Sequence, residues 1–470
     1  MRLSVLLIIV AALATVVVVV ILGMLAIQPP QPLIVSAGFE MDTITPNADG
    51  QTDVTVFRYT LSRNARVSLI FEAEDGTQYI FREDEPRSRD DYQVEFSGVT
   101  DGFTLPDETV NGEVISRLIP NGRYTWRLRA IAENGETEED TGILNIQEGD
   151  AVLPDIVTFT VSPAVFSPNQ DGIADRSEIN VYLSKDVAEL VVYLLTDNGE
   201  KIYISEREIG RQPGEAGRHS FDYEGGVDLG LDPPPDGTYT LVAEAQDLEG
   251  QRVRVRSTLT IEAGGEPQAE IAPQSVGVDV IFAAQPYEDR FYSIADDLGD
   301  LVTPPDDPAD QAFTAITMPV GDMLVFRLTV ENYSNVAIRT AGPPPGTVYQ
   351  QDQLAGALGF YGESGAWVVG LQCDTSTTSY PWRWALGTAE TLDSVTGSDG
   401  NTYLYLPAGE SREVWGGIRM TELMERRNPQ NCWAGLIHED VEVSIFNTRV
   451  GAREIELVDT LIEATPEATP

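Results

Sequence analysis

The chain has 470 residues, and its 30 basic and 75 acidic side chains leave a net charge of −45. An apolar share of 42% is enough for packed cores, so this is no disordered acidic polymer, while a charge of that size repels nucleic acid and anionic surfaces from the chain as a whole. Lys185 and Lys201 are the two lysines, and His219 and His438 the two histidines, which leaves no lysine-based phosphate loop and little material for histidine metal sites or triads.

Residues Leu3 to Ile27 are almost wholly apolar and stop before Gln28-Pro29-Pro30. Twenty-five residues at a helical rise of about 1.5 Å could span the ~30 Å hydrocarbon core of a membrane. The run is longer than the usual apolar region of a cleaved signal, and no clear cleavage site follows, so an uncleaved signal-anchor is favoured over a cleaved signal. Arg2 would stay in the cytoplasm, placing the bulk of the chain outside the cell membrane as a single-pass protein.

Beyond a short Pro-rich spacer, the chain contains an internal duplication. Ile44-Thr-Pro-Asn-Ala-Asp-Gly-Gln-Thr-Asp53 matches Phe166-Ser-Pro-Asn-Gln-Asp-Gly-Ile-Ala-Asp175. Leu61-Ser62 matches Leu183-Ser184, Asp75-Gly76 matches Asn198-Gly199, and Pro120-Asn-Gly-Arg-Tyr-Thr125 matches Pro235-Asp-Gly-Thr-Tyr-Thr240. Anchors kept in one order mark a repeat of domain size. Val54 to Leu61, Arg66 to Glu72 and Tyr124 to Ala132 alternate in polarity, and Asp75-Gly76 and Asn134-Gly135 close the turns, as in the hairpins of a sandwich. Past residue 27 the one weak helix candidate is Met420 to Arg427.

These motifs together, over roughly Val35–Gln147 and Pro154–Glu262, resemble the Ig-like domain of flagellar hook-capping proteins. The resemblance implies Ig-like β-sandwiches with a spacer or adhesion role and not flagellar assembly, which a membrane anchor would not suit. Pro86 to Arg117 departs from it as a polar insertion in the first repeat.

The remaining region is not a third copy. Leu324–Glu331, Pro407–Trp415 and Val441–Phe446 read as strands, and Ala341 to Asn401 as a long elaborated insertion. Cys373 and Cys432 both lie here, and outside the cytoplasm a disulfide between them is expected. The expected fold is all-β: two tandem Ig-like β-sandwiches plus a C-terminal β-sandwich-like domain, preceded by one N-terminal transmembrane helix. The divisions are 1–32 for anchor and spacer, 33–150 and 151–264 for the repeats, 265–460 for the C-terminal domain, and 461–470 for a disordered Thr/Pro tail.

Three groups of residues suggest sites. In the duplicated loops, Asn47, Asp49 and Asp53 correspond to Asn169, Asp171 and Asp175, with a glycine between, at the oxygen-ligand offsets of an EF-type calcium loop. Glu178 falls at the twelfth position of the second loop, where the first has Val56. The competing reading is that these Asn and Asp side chains brace a tight turn by accepting backbone N–H groups. Calcium is therefore the one cofactor considered. Tyr380, Trp382 and Trp384 alternate and would share one face of a strand. That face is either a platform for sugar rings or a partner's apolar surface, or part of the core. Asn332-Tyr-Ser334 fits a glycosylation acceptor. Catalytic motifs are lacking, so the expected function is a non-enzymatic, membrane-anchored structural or adhesion protein. Its partner would be a cell-envelope or surface protein or polysaccharide, and never nucleic acid. A carbohydrate-binding module and an extracytoplasmic hydrolase with paired carboxylates are the alternatives.

Overall fold

A computed structural model describes residues 2–26, 31–207, 210–274, 277–307, 315–397, 399–443 and 445–459, with side chains on the first helix described from Leu7 to Ile21. The tail at 461–470 and most of the Pro-rich spacer lie outside these residues. The chain is one helix followed by β-strands, and it groups into two compact units. The first comprises residues 1–160, 180–221 and 240–257, and the second 161–179, 222–239 and 258–470. The boundary cuts through five strands of the second repeat.

In the first unit, an α-helix runs over Arg2–Ala26. Every described side chain on it, Leu7 to Ile21, is exposed. Among the described residues, no helix is long and apolar enough to cross a membrane.

The first repeat is a sandwich. A sheet of Ile34–Phe39, Thr55–Leu61 and Asp91–Phe96 faces one of five strands in the order Thr43–Ile44, Thr137–Ile146, Gly122–Ala132, Ala65–Ala73, Gln78–Arg87. The alternation in Thr55–Leu61 and Ala65–Ala73 turns every second side chain inward. Phe57, Phe71, Phe96, Trp126 and Leu128 meet there, with Phe71 stacked on Phe96 at 4.5 Å. The turns form as their sequences require. Gly76 and Gly135 take positive φ, Asp75 Oδ1 accepts the Thr77 N–H, and Asn134 Oδ1 accepts the Glu136 N–H.

The expected polar insertion is instead structured. Asp91–Phe96 completes the three-stranded sheet, and Val99–Asp101 and Glu113–Leu118 form a hairpin that joins the next sheet. Glu113–Leu118 pairs with the strand Arg252–Ile261 through Arg252↔Ser116, Val253↔Val114 and Arg254↔Glu113. Beside this seam, Lys185 Nζ sits 2.9 Å from Asp150 and 3.1 Å from Asp247, whose side chain is fully buried. Burial works against the Lys185 ammonium, but the surrounding carboxylates outweigh it and raise its pKa.

In the second unit, the strands between Ala269 and Val458 form two sheets that share one core. One sheet holds Ala269–Ala272, Ile281–Gln285, Met323–Asn332, Ser411–Arg419 and Val348–Gln350. The other holds eight strands, among them Ile338–Thr340, Trp367–Cys373, Trp382–Ala385, Thr402–Leu406, Gln430–His438 and Val450–Val458. Strands from Val348 to Thr396 are integral to both sheets, so Ala341–Asn401 is no appended insertion. Val441–Phe446 is not a strand: a turn there leads into a short 3₁₀ segment at Ile445–Asn447. Met420–Arg427 holds no α-helix, only a single 3₁₀ turn at Glu425–Arg427. Cys373 and Cys432 are register partners on adjacent antiparallel strands and form a disulfide.

Candidate functional site

The two duplicated loops are built alike. In the first, Asp53 accepts the N–H groups of Asn47 (3.1 Å) and Gly50 (2.7 Å), Asn47 Oδ1 accepts from Asp49, and Asp49 Oδ1 accepts from Gln51. In the second, Asp175 accepts the N–H groups of Asp171 (3.0 Å) and Gly172 (2.7 Å), Asn169 Oδ1 accepts from Asp171, and Asp171 Oδ1 accepts from Ile173. Gly50 and Gly172 share the same φ of +82°, a left-handed conformation that favours glycine. The carboxylate and amide oxygens thus close the turn on its own backbone. Glu178 lies exposed on the strand Ser177–Leu183. Among the described residues, no three acidic, histidine or cysteine side chains converge as a metal site. The loop geometry is that of a turn brace.

A second shared device lies in the Pro-Asn/Asp-Gly-x-Tyr-Thr motif. Tyr124 OH donates to Pro120 O at 2.5 Å, and Tyr239 OH donates to Pro235 O at 2.6 Å. A tyrosine reaching back to the backbone just upstream pins the corner before a strand, as in Ig-type sandwiches.

The surroundings of the two loops differ. Asp49 is exposed, whereas Asn169 and Asp171 are each 6% exposed. Arg339, 3% exposed on the strand Ile338–Thr340, donates from Nε to Asp171 O at 2.5 Å and from Nη2 to Ser364 O at 2.6 Å, and pairs with Glu363. Tyr405 OH donates to Asp171 Oδ2 at 2.8 Å. His438 Nε2 meets Gln170 O at 2.8 Å, and its ring stacks on Trp367 at 4.4 Å. Gly172 and Gly365 allow a close approach: a Cβ on Gly172 would sit 2.1 Å from Ser364 O, and one on Gly365 2.2 Å from the Asp171 carbonyl carbon. Four parts of the sequence, up to 268 residues beyond it, therefore clasp one loop.

Burial sets the electrostatics of this clasp. It raises the pKa of Asp171 and, helped by the nearby Asp171 charge, takes Asp175 to about 6. It also lowers His438 to about 4 and raises the Tyr405 phenol. Beside the clasp, an open cleft of ≈ 400 Å³ is lined by Asp175, Arg176, Asp228 and Asp440 among others. Of its carboxylates, Asp175 holds backbone N–H groups and Asp228 pairs with Arg176.

The aromatic platform does not exist as a surface. Trp382 is 2% and Trp384 0% exposed. Trp384 packs edge-on to Phe326 and Tyr349, donates Nε1–H to Thr347 O, and covers Gly416 so closely that a Cβ would fall 2.3 Å from the indole. Tyr380 is also buried but joins a separate cluster with Val368, Trp433 and Ile437. Its φ of +46° breaks the alternation, so it leaves the face that the two tryptophans share. The glycosylation expectation is overturned too. Asn332 is fully buried, and its Nδ2 donates to Val336 O, Leu406 O and Pro407 O. Arg339, Tyr405 and His438 carry no local signal of this role, because the loop they meet lies 168 to 268 residues upstream of them.

No family model matches the chain, and no curated protein matches it. Solved structures that align with it include a tetra-tandem repeat from the extending region of a large adhesion protein, 13% identical, covering 89% of this chain and 73% of that one, with a TM-score of 0.17. A bacterial ice-binding adhesin is 8% identical and covers 91% and 98%, at 0.18. A Ca²⁺-stabilised adhesin of an Antarctic bacterium is 12% identical and covers 85% and 81%, at 0.20. At these scores the chains share no overall superposition.

Proposed function

We propose that this chain is a membrane-anchored, extracytoplasmic structural protein of adhesion type, without catalytic activity. In this reading the N-terminal helix holds it in the membrane, the two Ig-like repeats act as a spacer, and the C-terminal sandwich presents the surface that meets a cell-envelope protein or polysaccharide. The observation that carries it is the helix Arg2–Ala26. Its large apolar side chains between Leu7 and Ile21 stand 49–69% exposed. A helix apolar on all sides needs an apolar surrounding, either a protein core or a bilayer. The side chains described, Leu7 to Ile21, cover about 22 Å of the helix, so a full span in this reading draws on the apolar residues that flank them in the sequence, from Leu3 to Ile27.

The repeats and the disulfide support an extracytoplasmic place, where Cys373–Cys432 would persist. The likeness of the repeats to the Ig-like domain of hook-capping proteins is our reading of their loop and corner motifs. The duplicated Asn/Asp loops serve as turn braces in this reading, and calcium is not needed to hold them. The test is fractionation of cells producing the full chain. The expected result is a carbonate-resistant membrane fraction whose β-domains are digested by protease added to the outer face. Release of the intact chain into the soluble fraction would count against the anchor.

A further inference from the structure

We propose that the joint between the two repeats is locked by a built-in cation: the Lys185 ammonium fills a cage of oxygens of the kind that otherwise holds a divalent metal. The inference concerns the joint alone and stands apart from the membrane anchor. All the residues it uses lie in the first unit.

The joint is the segment 147–155, between the strand Thr137–Ile146 that ends the first repeat and the strand Ile156–Ser162 that opens the second. It is tied down on both sides. On the first repeat, Asn121 Oδ1 accepts the Gly149 N–H at 2.9 Å and Pro46 O accepts the Asp150 N–H at 3.0 Å. On the second, the fully buried Gln251 donates from Nε2 to Asp150 O and Val152 O, each at 3.0 Å. The first repeat also grips the turn that carries Gln251, since Ser116 Oγ donates to Gly250 O at 2.9 Å.

Lys185 sits where these ties meet. Its Nζ donates to Asp150 Oδ2 at 2.9 Å, Val152 O at 3.0 Å and Asp247 Oδ2 at 3.1 Å, with Glu249 Oε2 at 3.6 Å. Asp150 and Val152 belong to the joint, and Asp247 and Glu249 to the turn gripped by the first repeat, so one charge fastens both. The Asp247 side chain is fully buried and that of Glu249 is 6% exposed, which makes the ammonium costly to remove. Three carboxylate oxygens and a backbone carbonyl are the ligands a hard cation takes. The residue type agrees. The chain places one of its two lysines here. A compact point charge with three donors enters such a cage, and the planar fork of arginine does not match it. One ammonium does not neutralise three carboxylates, and burial, helped by the Asp247 charge, raises the pKa of Glu249. A divalent ion in place of the ammonium would cancel more of that charge, so calcium is the probe once the lysine is gone.

The test uses the full chain in detergent, with Glu74→Cys on the first repeat and Glu200→Cys on the second, both exposed positions, carrying spin labels. The native cysteines are bonded to each other, so the introduced thiols take the labels. Dipolar spectroscopy then reads the distance between the repeats. We expect a single narrow distribution in the parent, unchanged by millimolar calcium. Lys185→Ala should lose that narrow distribution and melt lower by about 5 °C or more. Millimolar calcium should restore most of both in this variant, and sodium at equal ionic strength should not. If Lys185→Ala melts too low for a distance to be read, its melting temperature carries the test, with calcium raising it in the variant and leaving the parent unchanged. A variant that keeps the narrow distribution and the parent's melting temperature without calcium overturns the lock. A variant that loosens and stays loose in calcium overturns the cation cage, as does a parent that responds to calcium as the variant does.

Discussion

At the scale of residues, the clasp around the second loop places opposing titrations side by side. Asp175 ionises near pH 3.8 when unfolded but only at about 6 when folded, so the folded chain keeps a proton that the unfolded chain has lost. Its contribution is fully present below pH 3.8 and is lost as pH rises through about 6. His438 is the reverse. It is protonated below 6.5 when unfolded but stays neutral to about 4 when folded. Its contribution is present above 6.5 and is lost as pH falls toward 4. The two slopes oppose each other in one window, and single variants should separate them. Thermal melts between pH 4 and 6.5 should show H438Q losing stability with rising pH, and D175N gaining it; parallel profiles for both would contradict this assignment. Arg339 carries a heavier role, because removing it strands the Asp171 and Ser364 carbonyls in a buried place. Arg339→Ala should cost about 3 kcal/mol, read as a lower denaturant midpoint at unchanged slope. The turn-brace reading also makes a calcium prediction: millimolar calcium should leave the melting temperature of the full chain where it was, and a rise of several degrees would revive the cation reading of Asn169, Asp171 and Asp175.

At the scale of elements, the hairpin of Val99–Asp101 and Glu113–Leu118 is where the first repeat lends strands to the sheet of Arg252–Ile261. Val114 is in register with Val253, and Val114→Pro removes a backbone N–H from the strand Glu113–Leu118 where it pairs with Arg252–Ile261. Limited proteolysis should then cut the segment 102–112 faster than in the parent chain; unchanged cutting would mean that the seam does not hold the hairpin. This element also marks where sequence reasoning ends. The turns at Asp75-Gly76 and Asn134-Gly135 were legible because a glycine, an Asx side chain and two alternating strands lie within a dozen residues. The repeat was legible for the same reason, since the loop and the tyrosine corner are local devices. The hairpin's partner lies more than 130 residues away, and no local pattern announces it. Tyr380 was misplaced because one left-handed residue ahead of Trp382–Ala385 breaks the period of two. The platform was an ambiguity of exposure, which alternation alone cannot resolve: a row of tryptophans reads the same whether it faces water or Gly416.

At the scale of the whole molecule, in the proposed reading the −45 charge is the solvated surface of β-domains outside the cell, and the apolar helix ties them there. The acids that recur at Asp49/Asp171 and Asp53/Asp175 are bound to the backbone, and Trp382 and Trp384 of the C-terminal sandwich are core. The anchor is the central claim, and flotation tests it most directly. The full chain and a chain beginning at Gln31 are mixed with detergent-solubilised lipid, and the detergent is removed. The account predicts that the full chain rises with the vesicles and withstands alkaline carbonate, while the shortened chain stays at the bottom of the gradient. A full chain left at the bottom beside it would contradict the account.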